Sequence, residues 1–201
     1  MSRTIVIVRT GTANLASVRA AFERQGHTVE LTEEPARVAE ADRVVLPGVG
    51  AFGASMAELV KKNLAEPLVE RARGNRSLLA ICVGMQLLCR GSTESPGARG
   101  LEVVNAEVSR FDAPGLRVPQ LGWNDVTAPP EARFVRSGVA YFANSYRARQ
   151  VADGWVASTA DHGGTFVAAM ERGNVLACQF HPELSGAWGA QLLARWIEGS
   201  G

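Results

Sequence analysis

Lysine is nearly missing from this chain of 201 residues: Lys61 and Lys62 are the only two, and arginine carries the rest of the basic charge. We read that as a coding preference without functional weight. The formal net charge is +1, so no basic surplus points to nucleic acid or to an anionic membrane. Cysteine is scarce too. Three cysteines, without paired spacing, argue against a disulfide framework and against a metal site. No apolar run approaches the ~20 residues of a membrane span. The first apolar run, Thr4 to Val8, is too short for the core of a signal peptide. A reducing cytoplasm is the expected location. The length suits one well-cored domain, so a single domain over 1–201 is expected.

The β-branched run Thr4 to Val8 reads as a buried first strand. Asn14 is placed to cap a helix from Leu15 to about Arg24, with Gly26 beyond it. Strands are expected at Thr28–Leu31 and Arg43–Leu46, with helical turns at Pro35–Ala41 and helices at Ala54–Lys61 and Leu64–Ala72. Alternating strand and helix with short links argues for an α/β fold, a mostly parallel sheet with helices on both faces. The second half is different. Short strands are expected at 101–104, 107–111, 123–126, 140–143, 156–159, 166–170 and 175–180, forming an antiparallel section that extends the sheet. A helix over about 185–198 closes the chain.

The stretch Ser77 to Arg90 changes pattern most sharply. A buried-strand run to Ile81 meets Cys82, and after Gly84 the longer side chains Met85, Leu87 and Leu88 favour helix. A cysteine at such a joint can be forced into a tight elbow at a helix N-terminus, where thiolate is favoured over thiol. Taken alone, a cysteine is more often a small buried hydrophobe. A nucleophile needs a base, and the chain has only His27, His162 and His181. His27 lies between a helix and a strand, and His162 in a turn. His181 follows an apolar strand that should end on the same sheet edge as Cys82. Pro182 should hold the chain extended, so that Glu183 and His181 point the same way and the carboxylate orients the imidazole. The Val83 N–H suits an oxyanion hole, with a second donor from the loop Pro47-Gly48-Val49-Gly50. Cys89, read as lying on the elbow helix, and Cys178 are assigned to the core. Trp123, among turn residues, is a candidate partner contact.

Cys82-Val83-Gly84-Met85-Gln86 together with His181-Pro182-Glu183 resembles the class I (triad) glutamine amidotransferases, whose fold is flavodoxin-like. The motifs PGVGAFG (47–53), VPQLGWN (118–124), YFANSY (141–146) and FHPELSG (180–186) are similar to those of glutaminase subunits of imidazole glycerol phosphate synthases. The likeness runs from ANLASV (13–18) to the last helix. It implies glutamine hydrolysis, with Cys82 as nucleophile, His181 as acid and base, and Glu183 orienting it. It implies an oxyanion hole at Val83, Val49 and Gly50, and glutamine contacts at Gly48, Gly50, Gln86, Asn144, Ser145 and Tyr146. The implied partner is a (β/α)8-barrel cyclase subunit that receives the ammonia, with Asn14, Trp123 and Leu184 at the interface. No cofactor is implied. Ala80, Asn144, Leu184 and Arg9 depart from the usual pattern. Ala80, Asn144 and Leu184 leave open a weakly active regulatory homologue, while the other alternative, another class I glutaminase, is disfavoured by PGVG and GWN.

Overall fold

The computed structural model describes residues 2–11, 14–151 and 154–199; Ala13 of the ANLASV motif lies outside them. The first half runs β1 (Thr4–Val8), α1 (Leu15–Glu23), β2 (Thr28–Thr32), α2 (Pro35–Glu40), β3 (Val44–Gly48), α3 (Phe52–Lys61), α4 (Ala65–Arg73), β4 (Leu78–Cys82) and α5 (Val83–Leu87). Then come β5 (Gly91–Ser92), β6 (Glu107–Arg110), β7 (Gln120–Val126), β8 (Gly138–Asn144), β9 (Tyr146–Ala148), β10 (Val156–Asp161), β11 (Thr165–Arg172) and β12 (Val175–Cys178). A 3-10 turn (Pro182–Leu184) and α6 (Gly186–Gly199) close the chain. No helix among the described residues is long and apolar enough to cross a membrane.

The main sheet has the order β10-β11-β12-β4-β3-β1-β2. The five strands from β12 to β2 are mutually parallel, and β10 and β11 add the antiparallel section. The path steps from β1 to β2, then turns back through β3 to β4. With right-handed crossovers that reversal puts α1 on one face and α2 to α4 on the other. Phe22 of α1 and Trp196 of α6 approach to 6.2 Å between ring centroids, so α6 joins α1. Covered on both faces, β3, β4 and β12 are buried throughout. This is why they read as continuous apolar runs rather than alternating ones.

Asn14 caps α1: its side-chain oxygen accepts from the Ser17 N–H at 3.4 Å. The structure departs from the sequence reading at several points, among them a separate three-stranded sheet of β5, β6 and β9 where an extension of the main sheet is expected. Leu101–Val104 is not a strand. The N–H groups of Leu101, Val103 and Val104 instead bond the carbonyls of Leu87 and Leu88, satisfying the end of α5. Cys89 lies past the end of α5, because that helix is only five residues long. The strand expected at 123–126 is present but begins earlier, at Gln120, and pairs with β8 as a separate hairpin. Residues 182–184 form a 3-10 turn rather than an extended link.

The sheet is tightest where β3 passes under α5. A Cβ on Gly48 would meet the Gly84 nitrogen at 2.7 Å, and one on Gly84 would be driven into the Leu46 carbonyl. Backbone on both sides cannot give way. Gly84→Ala should therefore lower stability by about 3 kcal/mol, the upper end of overpacking effects. Thermal denaturation should show a fall of roughly 6–12 °C at this chain length. A variant that melts with the wild type would mean that the approach is looser than described.

Candidate active site

Cys82 ends β4 with φ 55° and ψ −112°, a conformation that L side chains rarely adopt and that costs on the order of 1–3 kcal/mol. The turn throws the chain directly into α5. The Val83 N–H is the first of the helix's unpaired donors and stands beside the sulfur. With only five residues, α5 has a small dipole.

β12 lies alongside β4 with Cys178 opposite Ile81, so the two chains leave the sheet together. His181 therefore emerges beside Cys82. The His181 Nδ1 is 2.8 Å from Glu183 Oε1, and both side chains are buried, at 9% and 2% exposure. The 3-10 turn, not an extended link, brings carboxylate and ring together. The His181 backbone is held twice over. Its N–H donates to the Tyr141 carbonyl at 2.9 Å, and its carbonyl accepts from Ser185 Oγ at 2.7 Å. Burial disfavours the imidazolium, but its interactions with the Cys82 sulfur and the Glu183 carboxylate prevail and raise its pKa to about 10. The other two cysteines lack such partners. Burial raises the Cys89 thiol to about 12 and puts that of Cys178 well above its ordinary value, with Glu171 and Glu183 adding to the latter.

A cavity of about 290 Å³ opens on this pair. Its walls include Val49, Gly50, Cys82, Val83, Gln86, Asn144, Ser145, Tyr146 and His181. Gly48 lies beneath the cavity, at the β3–α5 contact, and Glu183 stands behind His181. Asn14, Trp123 and Leu184 are away from the cavity and exposed. Three residues with a part in the site went unsingled in the sequence: Glu94, Ser185 and Gln179. Glu94 also lines the cavity and accepts from the Phe52 N–H at 2.7 Å, tying down the end of the 47–50 loop. It lies in a stretch that reads only as turn. Ser185, read only as the start of a helix, braces His181. Gln179 lies just past the end of β12, two residues before His181.

A family model described as glutamine amidotransferase class-I matches residues 7–198. The chain belongs to the class-I glutamine amidotransferase family. One curated relative of this amidotransferase is "Imidazole glycerol phosphate synthase subunit HisH" of Syntrophotalea carbinolica. It is 42% identical over 201 aligned residues, with 94% of this chain and 97% of the relative covered. Another is "Imidazole glycerol phosphate synthase hisHF, chloroplastic" of Arabidopsis thaliana, 37% identical over 96% of this chain but only 34% of its own length. Among solved structures, a "Crystal structure of glutamine amidotransferase" superimposes with a TM-score of 0.78 at 20% identity, covering 97% of this chain and 98% of the other. That likeness carries the fold.

In this amidotransferase the raised His181 pKa rests first on the Cys82 sulfur and then on Glu183. A group whose folded value lies above its ordinary 6.5 gives stability that is full below pH 6.5 and lost as pH rises through about 10. Glu183→Gln removes the negative charge, so the His181 ring protons should titrate about 1–2 units lower by NMR. An unchanged titration would remove Glu183 from the account of that shift.

Proposed function

We propose that this chain is the glutaminase subunit of an imidazole glycerol phosphate synthase, hydrolysing glutamine to glutamate and ammonia. The observation that carries the reading is the Cys82, His181 and Glu183 alignment at the mouth of a cavity. The names of the curated relatives supply the pathway, histidine biosynthesis. The chain acts as one glutaminase domain in the cytoplasm, consistent with three free cysteines and one apolar core through the described residues.

The Cys82 thiolate adds to the side-chain amide carbon of glutamine, and the carbonyl becomes an oxyanion. The Val83 N–H and a donor from Val49 or Gly50 hold that charge. The imidazolium of His181 gives its proton to the amide nitrogen, the C–N bond breaks and ammonia leaves. The neutral ring then takes a proton from water as the hydroxide adds to the glutamyl thioester. Loss of the sulfur completes glutamate and restores the ion pair. Gln86 Nε2 already donates to the Tyr146 carbonyl at 3.1 Å, leaving its oxygen to receive the substrate's ammonium. Asn144, Ser145 and Tyr146 face the same substrate, and Gly48 keeps the loop close above the elbow.

The partner is a (β/α)8-barrel cyclase that consumes the ammonia. Support comes from the Arabidopsis relative, whose name and greater length join a second part to the matched third. Trp123 is 59% exposed and Leu184 40%, with Leu121 and Val139 also bare on the β7–β8 hairpin. Trp123 meets Tyr141 edge-on at 5.9 Å, which fixes the ring for docking. Asn14, at the start of α1, lies on the same sheet edge as Cys82.

Mixed with a cyclase subunit and its ribonucleotide ligand, the wild type should release glutamate, and Cys82→Ala should lose at least about 10³-fold in rate, as loss of a nucleophile demands. Ligand-stimulated turnover that survives the substitution would sink the nucleophile assignment. Trp123→Ala should weaken cyclase binding about thirtyfold, the scale of a buried aromatic anchor, as read by calorimetry. Unaltered affinity would move the interface elsewhere.

A further inference from the structure

Gln179 is fully buried between the end of β12 and the triad histidine, and no step above uses it. A buried amide without partners would be destabilising, so where its two ends point is informative. The Tyr146 carbonyl can only accept, so the Gln86 atom 3.1 Å from it must be the nitrogen. That nitrogen's second hydrogen goes to Gln179 at 2.9 Å, so Gln179 must present its oxygen there. Its amide nitrogen is thereby turned to the Cys82 sulfur, 3.8 Å away. One carbonyl thus fixes the orientation of two amides in series. The Gln179 backbone is anchored in turn, its N–H donating to the Ala168 carbonyl at 2.8 Å.

We propose that Gln179 is a positioning residue with two ends: its N–H holds the Cys82 thiolate in line for attack, and its oxygen locks the Gln86 amide for substrate binding. The inference rests on the glutaminase reading of Cys82. An amide suits the first task because it donates without exchanging its proton. It can support the sulfur anion while His181 moves protons on the other side. The titratable groups that face Cys82 are His181, Glu183 behind it and Glu94 across the cavity. Gln179 adds a donor whose strength does not vary with pH. With α5 so short, such a side-chain donor supplies what a long helix dipole would otherwise contribute.

The test is alkylation of the full chain by iodoacetamide across the range from mildly acid to mildly alkaline pH, mapped by peptide mass, with glutamine kinetics in parallel. Cys89 and Cys178, buried, serve as silent internal controls. Gln179→Met fills the volume and removes both bonds. Cys82 alkylation at neutral pH should slow on the order of tenfold, the worth of one hydrogen bond to a charged group, and its half-maximal pH should rise. KM for glutamine should increase as well. Gln179→Glu keeps an acceptor for Gln86 but no amide donor, so KM should recover while the alkylation profile stays altered. A folded Gln179→Met with the wild-type alkylation profile overturns the proposal. If that variant does not fold, the profile of Gln179→Glu decides in the same way. Wild-type Cys82 that resists alkylation throughout would bring down the glutaminase reading itself, and this role with it.

Discussion

Two backbones meet with no side chain between them where β3 runs beneath the first turn of α5. Gly48 and Gly84 make the approach possible, and the rest of the site depends on it. With α5 pressed onto the Leu46 carbonyl, the chain after β4 has no room for a gradual turn. Cys82 must take a positive φ, and its side chain must stand clear of the sheet. A conformation that costs about 1–3 kcal/mol in isolation persists because burial on all sides determines it. Ala80, two residues earlier, sits between Leu46 and Ala177 in register and is fully buried, so its methyl fills the sheet rather than the turn.

Strain at one edge has to be held by rigidity elsewhere, and two buried ionic side chains help to supply it. Arg71 of α4 is 1% exposed and has only carbonyls as partners: those of Val38, Ala39, Ala41 and Ser77. Burial lowers its pKa to about 10, which leaves it charged at neutral pH as it pins α2 and α4 to the root of β4. Glu171 of β11 is 4% exposed and accepts from the backbone N–H groups of Arg133, Phe134 and Val135. It fastens the long connection between β7 and β8 to the main sheet. Each site uses a charge to satisfy irregular backbone that could not otherwise be buried.

The site itself divides labour between a group that titrates and groups that do not. His181 carries the proton, and its elevated pKa follows from the sulfur and carboxylate on either side of it. Around it Gln86, Gln179, Asn144 and the Tyr146 carbonyl form a neutral hydrogen-bonded frame. A frame without charge adds no titrating group to Cys82, His181 and the carboxylates of Glu183 and Glu94. The 47–50 loop starts from Pro47 and Gly48, which still pair with β4, and beyond its far end the N–H groups of Phe52 and Gly53 are tied to Glu94 and Ser95, with Gly50 at φ 90° between the two anchors.

Much of this was legible in the residues. Continuous apolar runs at Thr4–Val8 and Ser77–Ile81 marked strands buried on both faces, because only such strands need no polar alternation. Gly, Cys and His-Pro-Glu at strand ends then pointed to one edge of the sheet, since parallel topology brings those ends together, and Gly50, Cys82 and His181 do line one cavity there. The failures share a cause as well. Leu101–Val104 looks like a strand but bonds the carbonyls at the end of α5, and β7, read from Trp123, begins at Gln120. In both, the backbone partners that decide the outcome lie outside the segment itself, and local composition carries no information about them. The approach of His181 and Glu183 was anticipated, but by the wrong local geometry. The orientation of Gln179 could not be read at all, because it is set by the Tyr146 carbonyl through Gln86. By itself, then, the sequence determined which strands are buried and which residues could react. Only the tertiary structure decided how amides, sulfur and ring face one another, because hydrogen-bond direction is fixed by partners that only folding brings within reach.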